Sequence, residues 1–397
     1  MIEKGKIGII THYYNSQNYG GNLQAYALCK VLETLTSSEV EQICYDTVRT
    51  PSSDMPKKTL AVIIRHPIKV FRSIKSRILV RYTALKDAVY KEEFETRRRA
   101  IMSFNQGQIK HSQIVYNFRN IAEASQKYDI FITGSDQVWN PRAIHPAYLL
   151  TFVENKPKFS YAASIACDTL TEAQQEMFKS KLADYLAISV REEKAKTLLE
   201  PLVEQEVHCV LDPTLLLSRE AWGAVASAID VPEKYAFCYF LGDDLTARAV
   251  ARLYAEKHGL TLLTLPFMSG HYRKCDKNFG DLRLFDVTPQ QFIFLVQNAS
   301  IVFTDSFHAG VFSNIFEKEY FLFSRGRDNS MNSRIYQLNA LFGREYTFCD
   351  TPEKKTLQYL EKNCGKAKNL HCQILEKERE RSLNFLARTL GMAQRHE

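Results

Sequence analysis

The stretch that decides the fold runs from Ile301 to Asn314 and reads I-V-F-T-D-S-F-H-A-G-V-F-S-N. Its first four residues predict a short buried strand, and the polar pair Asp305–Ser306 predicts where that strand ends. A helical pattern follows, which puts His308 at the start of a helix. Because the first N–H groups of a helix attract anions, a histidine there can exchange a proton with a bound phosphate or carboxylate. The alternative is a packed histidine that serves only the structure.

The same alternation of strand and helix patterns repeats on both sides of this stretch. Further strands are predicted near residues 6–11, 40–45, 130–133, 159–163, 187–190, 207–211, 235–241, 260–265 and 320–324. Two such series predict an α/β fold with two doubly wound Rossmann-like domains that face a cleft. We expect domains at 1–217 and 218–365, a basic insertion at about 51–110 and a helical tail at 366–397. Ligands of such sheets bind beyond the carboxyl ends of the strands, so the cleft is the expected site.

The composition is that of a folded, globular protein. Of 397 residues, 45% are apolar and 12% aromatic, which is enough for full-sized cores. The nine cysteines form no C-x-x-C pair, so neither a disulfide framework nor a zinc site is predicted, and no metal ligand set is apparent. No stretch of ~18 apolar residues and no signal-peptide pattern is present, so we expect a cytoplasmic protein.

The positive charge of the chain is concentrated in one segment. The net charge is +7, and residues 57–99 alone hold thirteen Lys and Arg against four acidic residues. A solvated helix face explains such a segment, but interleaved apolar residues also suit an anionic membrane surface or a phosphate-rich partner. Lipid binding there would make the protein peripheral on the inner face of the cytoplasmic membrane. No nucleic-acid motif accompanies the charge, so nucleic acid is not an expected partner.

The loop from His12 to Gln24, H-Y-Y-N-S-Q-N-Y-G-G-N-L-Q, joins the first predicted strand to the first helix. Its glycines allow a ligand to approach the backbone, and its amide side chains suit sugar hydroxyls. It does not match G-x-G-x-x-G, so no dinucleotide site is predicted. An ordinary connecting loop is the alternative. The candidate acceptor-binding residues are Asn18, Tyr19, Gly20, Asn22 and Gln24.

A second polar cluster follows the strand predicted at 130–133. Asp136 stands at the end of this strand and can act as a base toward a hydroxyl. Trp139 can stack on a sugar ring, with Gln137 and Asn140 beside it. A turn with a capping aspartate is the alternative.

Two arginine-containing segments complete the set of candidate site residues. Arg191 lies where a predicted strand ends, and a guanidinium there can hold a carboxylate or phosphate through two hydrogen bonds. A salt bridge to a neighbouring glutamate is the structural alternative. The second segment, Arg325 to Arg334, supplies Asn332, Ser333 and Arg334 as anion ligands, unless it is an ordinary surface loop.

The chain resembles the bacterial polysaccharide pyruvyl transferase family. The resemblance begins with G-I-I-T-H-Y-Y-N-S-Q-N-Y-G-G-N-L-Q-A-Y-A-L at 8–28 and G-S-D-Q-V-W-N at 134–140. It continues through Y-A-A-S at 161–164, S-V-R-E at 189–192 and L-D-P-T at 211–214, and ends with T-D-S-F-H-A at 304–309 and N-S-R-I at 332–335. It covers most of the chain except the basic insertion and the tail.

The resemblance implies a GT-B-like fold with the acceptor on the first domain and the donor on the second. It also implies transfer of pyruvate from phosphoenolpyruvate to two hydroxyls of a sugar, which forms a cyclic ketal without a further cofactor. His308 matches the catalytic histidine of the family and Arg191 its donor-binding arginine. Ser306 occupies a position at which some members carry an arginine, and Arg334 or Arg325 would then supply that charge.

These residues yield one preferred mechanism and two alternatives. Arg191 and Arg334 would neutralise the donor, His308 would deliver a proton and Asp136 would accept the proton of a sugar hydroxyl. We expect the acceptor to be a galactose-type sugar on a polyprenyl-diphosphate carrier, in capsule or exopolysaccharide assembly. The alternatives are a GT-B glycosyltransferase that uses a nucleotide sugar and a non-catalytic, membrane-associated assembly factor.

Overall fold

The fold is built on two parallel β-sheets, one from each half of the chain. We describe it from a computed structural model, in which residues 5–47, 88–268, 273–325, 332–366 and 372–394 are placed. Residues 57–87 of the basic segment lie outside these ranges, so the predicted membrane contact stays a prediction. Within the described ranges, no helix combines the length and apolar character needed to cross a bilayer.

The first sheet has the strand order β2-β1-β3-β4. Its strands are β1 (Lys6–Ile10), β2 (Glu39–Gln42), β3 (Ile130–Thr133) and β4 (Lys158–Ser160). Single bridges from Phe159 to Ala187 and from Ala163 to Val190 extend it toward β5 (Ile188–Val190) and β6 (Val207–Cys209). The strand order reverses between β1 and β3, so a ligand crevice opens where these two strands end.

The second sheet has the order β12-β11-β10-β7-β8-β9, the 3-2-1-4-5-6 arrangement of a Rossmann fold. Its strands are β7 (Tyr235–Tyr239), β8 (Thr261–Thr264), β9 (Leu282–Arg283), β10 (Ile301–Thr304), β11 (Tyr320–Phe323) and β12 (Phe348–Cys349). The order reverses between β7 and β10, and His308 follows β10. The predicted α/β class with two doubly wound sheets is confirmed. The predicted domain bounds stay a prediction; residue 217 lies in the sequence between β6 and β7.

Helices connect the strands and cover both sheets. They are α1 (Tyr19–Leu35), α2 (Ala88–Gln108), α3 (Glu172–Leu182), α4 (Glu193–Leu199), α5 (Arg219–Val225), α6 (Leu245–Lys257), α7 (Pro289–Asn298), α8 (Phe307–Ile315), α9 (Ser333–Leu341), α10 (Leu357–Asn363) and α11 (Cys372–Ala393). Side-chain caps fix several starts, since the first N–H groups of a helix need acceptors. Thr288 and Gln291 form a reciprocal capping box on α7, and Ser306 accepts the N–H of Ala309 at the start of α8.

Two helices tie the halves of the molecule together. Arg97 of α2 is 2% exposed and donates hydrogen bonds to the carbonyl oxygens of Pro266, Leu284 and Phe285 in the second half. The prediction that the basic segment is a solvated or membrane-facing surface is therefore wrong for Arg97. The tail helix α11 returns to the first half, where the Ser382 hydroxyl accepts the N–H of Leu211.

Candidate active site

The strand order reverses once in each sheet, and the helices that follow these two points, α1 and α8, begin next to each other. A Cβ atom added to Gly20 would lie 2.1 Å from Nδ1 of His308, far closer than non-bonded carbon and nitrogen atoms approach each other. Only glycine therefore allows the start of α1 to approach the imidazole this closely. His308 is 5% exposed, so the imidazole is buried at this junction.

The carboxylate of Asp212 connects several side chains of the site. Asp212 was not among the candidate site residues chosen from the sequence. One carboxylate oxygen accepts the N–H and hydroxyl of Thr214, at 3.0 and 2.6 Å. The other accepts the Ser135 hydroxyl at 3.0 Å and Nη1 of Arg191 at 2.7 Å, and lies 3.6 Å from Nε2 of His308. Burial opposes the ionisation of Asp212, but the nearby His308 and Arg191 outweigh it and hold its pKa well below the ordinary value.

Arg191 follows β5 directly and extends into a cluster of carboxylates. Besides Asp212, its Nε lies 3.4 Å from Glu192 and its Nη2 3.7 Å from Asp136. Burial works against the charge, yet Asp212, Glu192 and Asp136 raise the pKa of Arg191 above its ordinary value. Nη2 has no hydrogen-bond partner among the described residues, so one donor of this fixed cation remains available to a ligand.

Arg334, in the first turn of α9, brings a second buried cation beside the first. It is 7% exposed, and within the described ranges its Nε has no hydrogen-bond partner and no carboxylate pairs with it. The Phe307 ring contacts both guanidinium groups, with its centroid 4.6 Å from Cζ of Arg191 and 5.9 Å from Cζ of Arg334. Burial and the charge of Arg191 lower the pKa of Arg334 to about 9, so the group is still a cation at neutral pH. An uncompensated buried cation is costly unless an anion binds it.

Asp136 adds another buried carboxylate beside Arg191. Its backbone adopts a left-handed conformation with φ of +69°, which aspartate tolerates better than most residues. Burial would raise the pKa of this carboxyl, but Arg191 and His308 keep it below the ordinary value. Asp136 is therefore an ionised acceptor at neutral pH, 3.7 Å from Arg191.

Comparison with known proteins identifies the family. A family model described as polysaccharide pyruvyl transferase matches residues 18–327. The chain belongs to the polysaccharide pyruvyl transferase family. No curated protein matches it. The match includes Gly20, Asp136, Arg191 and His308, and it ends before Arg334.

Solved structures show the fold. The UDP-GlcNAc 2-epimerase from Methanocaldococcus jannaschii has a TM-score of 0.52 at 12% identity, over 96% of this chain and 99% of that chain. The S. aureus MnaA–UDP co-structure has a TM-score of 0.50 at 11% identity, over 95% and 91%. The predicted GT-B-like arrangement is thus confirmed, while such low identity carries no information on the substrate.

The structure divides the predicted acceptor residues of this family member into three groups. Gly20 lies at the site, and Asn18 caps α1 by accepting the Gly20 N–H at 3.0 Å. Asn22 and Gln24 are buried, and their amides hold the loop through Ser16, Asn18, Thr11 and Gly21. Tyr19 is buried between the halves, where its hydroxyl donates to the Val287 carbonyl oxygen at 2.9 Å.

The prediction that Trp139 stacks on a sugar is wrong. The indole is fully buried, its Nε1 donates to the Tyr148 carbonyl oxygen at 3.1 Å, and Phe178 and Tyr185 pack on it. Nearby, the amide of Asn140 donates to Gln137 at 3.3 Å, a contact within the turn. Both amide residues are partly buried and stay candidate ligands.

The predicted donor residues are also separated. Ser306 caps α8, and Asn332 and Ser333 begin α9, which carries Arg334. Arg325 lies in an open cleft of about 610 Å³ rather than in the buried cluster, and its Nε donates to the Asp305 carbonyl oxygen at 3.1 Å. Within the described residues, no group of three or more His, Cys, Asp or Glu side chains is placed to hold a metal.

Sequence reasoning also missed His12 and Gln337. The ring of His12 lies 4.3 Å from the Tyr148 ring, and burial lowers the pKa of His12 despite the opposing charge of Asp136. Gln337 of α9 reaches the other half of the molecule and contacts the backbone of Arg191. The only sequence signal for His12 was its place in the polar loop after β1.

Proposed function

We propose that this protein transfers pyruvate from phosphoenolpyruvate to two hydroxyls of a sugar and forms a cyclic ketal in polysaccharide biosynthesis. One observation carries the proposal: two buried arginines flank Phe307 beside His308, and Arg334 has no counter-ion among the described residues. A small ligand with two anionic groups, a carboxylate and a phosphate, matches this pair of cations. Membership of the pyruvyl transferase family supports the same reaction class.

The first step joins one sugar hydroxyl to the donor. The hydroxyl oxygen bonds to C2 of phosphoenolpyruvate while its proton passes to Asp136. The C2–C3 double bond takes a proton from His308, and C3 becomes the methyl group. The Asp212 carboxylate, 3.6 Å from Nε2, orients the imidazole for this transfer, as a buried carboxylate does for a catalytic histidine.

The second step closes the ring. The second hydroxyl oxygen bonds to C2 as the bond from C2 to the phosphate oxygen breaks, and neutral His308 takes the hydroxyl proton. Protonated Asp136 returns its proton to the departing phosphate, so both groups regain their starting states. Two hydroxyls must reach one carbon, and holding them there is mainly a matter of positioning.

For the acceptor we propose a galactose-type sugar on a polyprenyl-diphosphate carrier, with capsule or exopolysaccharide as the product. The support is the basic, apolar-studded segment 57–99, which suits an anionic membrane surface. In this proposal the protein acts at the inner face of the cytoplasmic membrane.

The test is release of phosphate from phosphoenolpyruvate with a panel of lipid-linked and free galactosides, followed by product mass. We expect acceptor-dependent release and a product that carries one pyruvate ketal, with both lost in His308→Ala. Turnover of a nucleotide sugar without phosphoenolpyruvate would favour a GT-B glycosyltransferase instead. Vesicle binding that persists in His308→Ala, with no donor binding by the parent, would favour a non-catalytic assembly factor.

A further inference from the structure

An open cleft of about 610 Å³ lies at the carboxyl ends of β7 and β8. We call it the outer cleft; the residues that line it include Asn18, Arg97, Gly242, Phe267, Arg273 and Arg325. It adjoins the site on two sides. Asn18 caps the helix whose Gly20 touches His308, and Arg325 donates to the carbonyl oxygen of Asp305, three residues before His308.

The outer cleft is positively charged. Among the described residues, three arginines line it against one acidic residue, Asp243. The neighbouring Asp305 carboxylate accepts the N–H groups of Leu241 and Gly242 at 2.7 and 2.6 Å, and its Oδ1 also lies 3.4 Å from Nε of Arg325. An anionic group that enters this cleft therefore meets more cations than carboxylates.

The three arginines have different tasks. The guanidinium of Arg97 donates hydrogen bonds to three backbone carbonyl oxygens, so this arginine has a structural role in the wall of the cleft. Arg273 stacks on Phe267, with Cζ 4.2 Å from the ring centroid, and its buried Nε has no hydrogen-bond partner among the described residues. The Arg325 side chain is 24% exposed at the mouth of the cleft. Arg273 and Arg325 are thus the two that can contact a ligand.

The outer cleft is larger than the proposed donor requires. Its volume is in the range of sites for drug-sized ligands, roughly 300–1,000 Å³. Phosphoenolpyruvate, the proposed ligand of the buried arginine pair, is much smaller. A sugar whose hydroxyls reach His308 and Asp136 would point its anomeric substituent out of the buried site and toward this cleft. The cationic lining then calls for an anionic anomeric substituent.

We infer that the outer cleft binds the diphosphate of a glycosyl diphosphate acceptor, with Arg273 and Arg325 as its phosphate ligands. This inference rests on the proposed pyruvyl transfer, and it assigns Arg325 to the acceptor rather than the donor. Apolar neighbours such as Phe94 and Met268 can pack on the group that the diphosphate carries at its other end, either the first isoprene unit of a lipid carrier or the nucleoside of a nucleotide.

Calorimetric titration of the full chain tests the inference. The probes are inorganic pyrophosphate, farnesyl diphosphate and UDP, each titrated with and without saturating phosphoenolpyruvate. We expect all three to bind in its presence, and Arg273→Gln and Arg325→Gln to weaken them about tenfold while phosphoenolpyruvate binds as before, since each loses one charged hydrogen-bond donor. Arg219→Gln is the matched control, because that side chain is half exposed and pairs with Glu317 outside the cleft.

The probes also distinguish the two sources of a diphosphate. Tighter binding of farnesyl diphosphate than of UDP indicates a lipid carrier, and the reverse order indicates a nucleotide; either supports a diphosphate site. Competition between pyrophosphate and phosphoenolpyruvate, or no loss of diphosphate binding in the two variants, would overturn the inference. Pyrophosphate binding that depends on Arg273 without any binding of phosphoenolpyruvate would instead reject the proposed donor and leave the cleft assignment standing.

Discussion

Gln337 holds Arg191 across the interface between the two halves of the molecule. Its side-chain amide donates to the Arg191 carbonyl oxygen at 3.2 Å, and its side-chain oxygen accepts the N–H of Glu193 at 3.0 Å. Gln337 lies one turn after Arg334 on α9, so the same helix carries one cation of the proposed donor pocket and fixes the backbone of the other. The spacing of the two guanidinium groups therefore depends on this amide.

Gln337→Ala should raise KM for phosphoenolpyruvate about tenfold, since its side-chain hydrogen bonds to Arg191, Glu193 and Cys209, worth ~0.5–1.5 kcal/mol each, are lost. We expect kcat to change less, because His308 and Asp136 do not contact the amide. Steady-state kinetics with varied donor measures both constants. Tyr336→Phe is the control, since the neighbouring tyrosine is 49% exposed and its hydroxyl bonds only to Asp350 among the described residues. An unchanged KM in Gln337→Ala would contradict the positioning role.

Gly20→Ala should abolish most of the turnover. The added methyl group would lie 2.1 Å from Nδ1 of His308, so either the imidazole or the start of α1 must move. A displacement of about 1 Å costs on the order of 10²-fold in rate when the reaction depends on alignment. The control is Gly223→Ala in α5, where the nearest atom to the new methyl group is 3.9 Å away. Equal activity of the two variants would show that the imidazole position is not critical.

Arg334→Met should weaken binding of the donor without lowering the unfolding free energy. Removing a buried cation that has no counter-ion among the described residues relieves a desolvation penalty, so the unfolding free energy should stay equal or rise. Loss of a charged hydrogen bond to the ligand costs ~1.5–3 kcal/mol, which predicts donor binding roughly 10- to 100-fold weaker. Urea unfolding and donor titration measure the two effects. Marked destabilisation would mean that Arg334 has a structural partner.

Asp212→Asn should reduce both stability and activity. Arg191 would lose its closest carboxylate, and breaking a buried ion pair costs ~3–5 kcal/mol. His308 would also lose the carboxylate that lies 3.6 Å from its Nε2 and orients the imidazole, so we expect kcat to fall by about 10²-fold or more. Urea unfolding and steady-state kinetics measure these effects. Wild-type turnover in a folded Asp212→Asn protein would exclude this carboxylate from the mechanism.

The lowered pKa of Asp212 predicts that the stability of the fold depends on pH. The folded-state pKa of Asp212 lies below its ordinary value of 3.8, so the unfolded chain takes up the proton more readily. Its contribution is fully present above that ordinary value and is lost as pH falls below it. The unfolding free energy can be measured at about pH 6 and about pH 3, one on each side of the ordinary pKa. The difference between the two values should be larger for wild type than for Asp212→Asn. Equal differences in the two proteins would contradict the linkage.

The sequence predicted the regular elements well where local signals were strong. The strand 301–304 was both predicted and observed. The strands β9 and β12 were missed, since two residues each are too few to show a periodic pattern. The same limit explains why the predicted strand ends differ from the observed ones by a few residues.

Long-range contacts account for what the sequence could not predict at the site. Asp212 was part of a recognised motif, but its role depends on Arg191 and His308, which only the fold brings to it. Trp139 shows the opposite error, because an indole near a strand end looks the same whether it faces a ligand or the core. Arg97 was counted with a basic surface, although burial and three carbonyl acceptors make it part of the interface.

The most direct test of the donor pocket is a crystal structure of the protein with phosphoenolpyruvate. We predict that the carboxylate and phosphate contact Arg191 Nη2 and Arg334 Nε, with C3 of the ligand near His308. Phosphoenolpyruvate bound only in the outer cleft, at Arg273 and Arg325, would contradict this account and move the donor to the other side of His308.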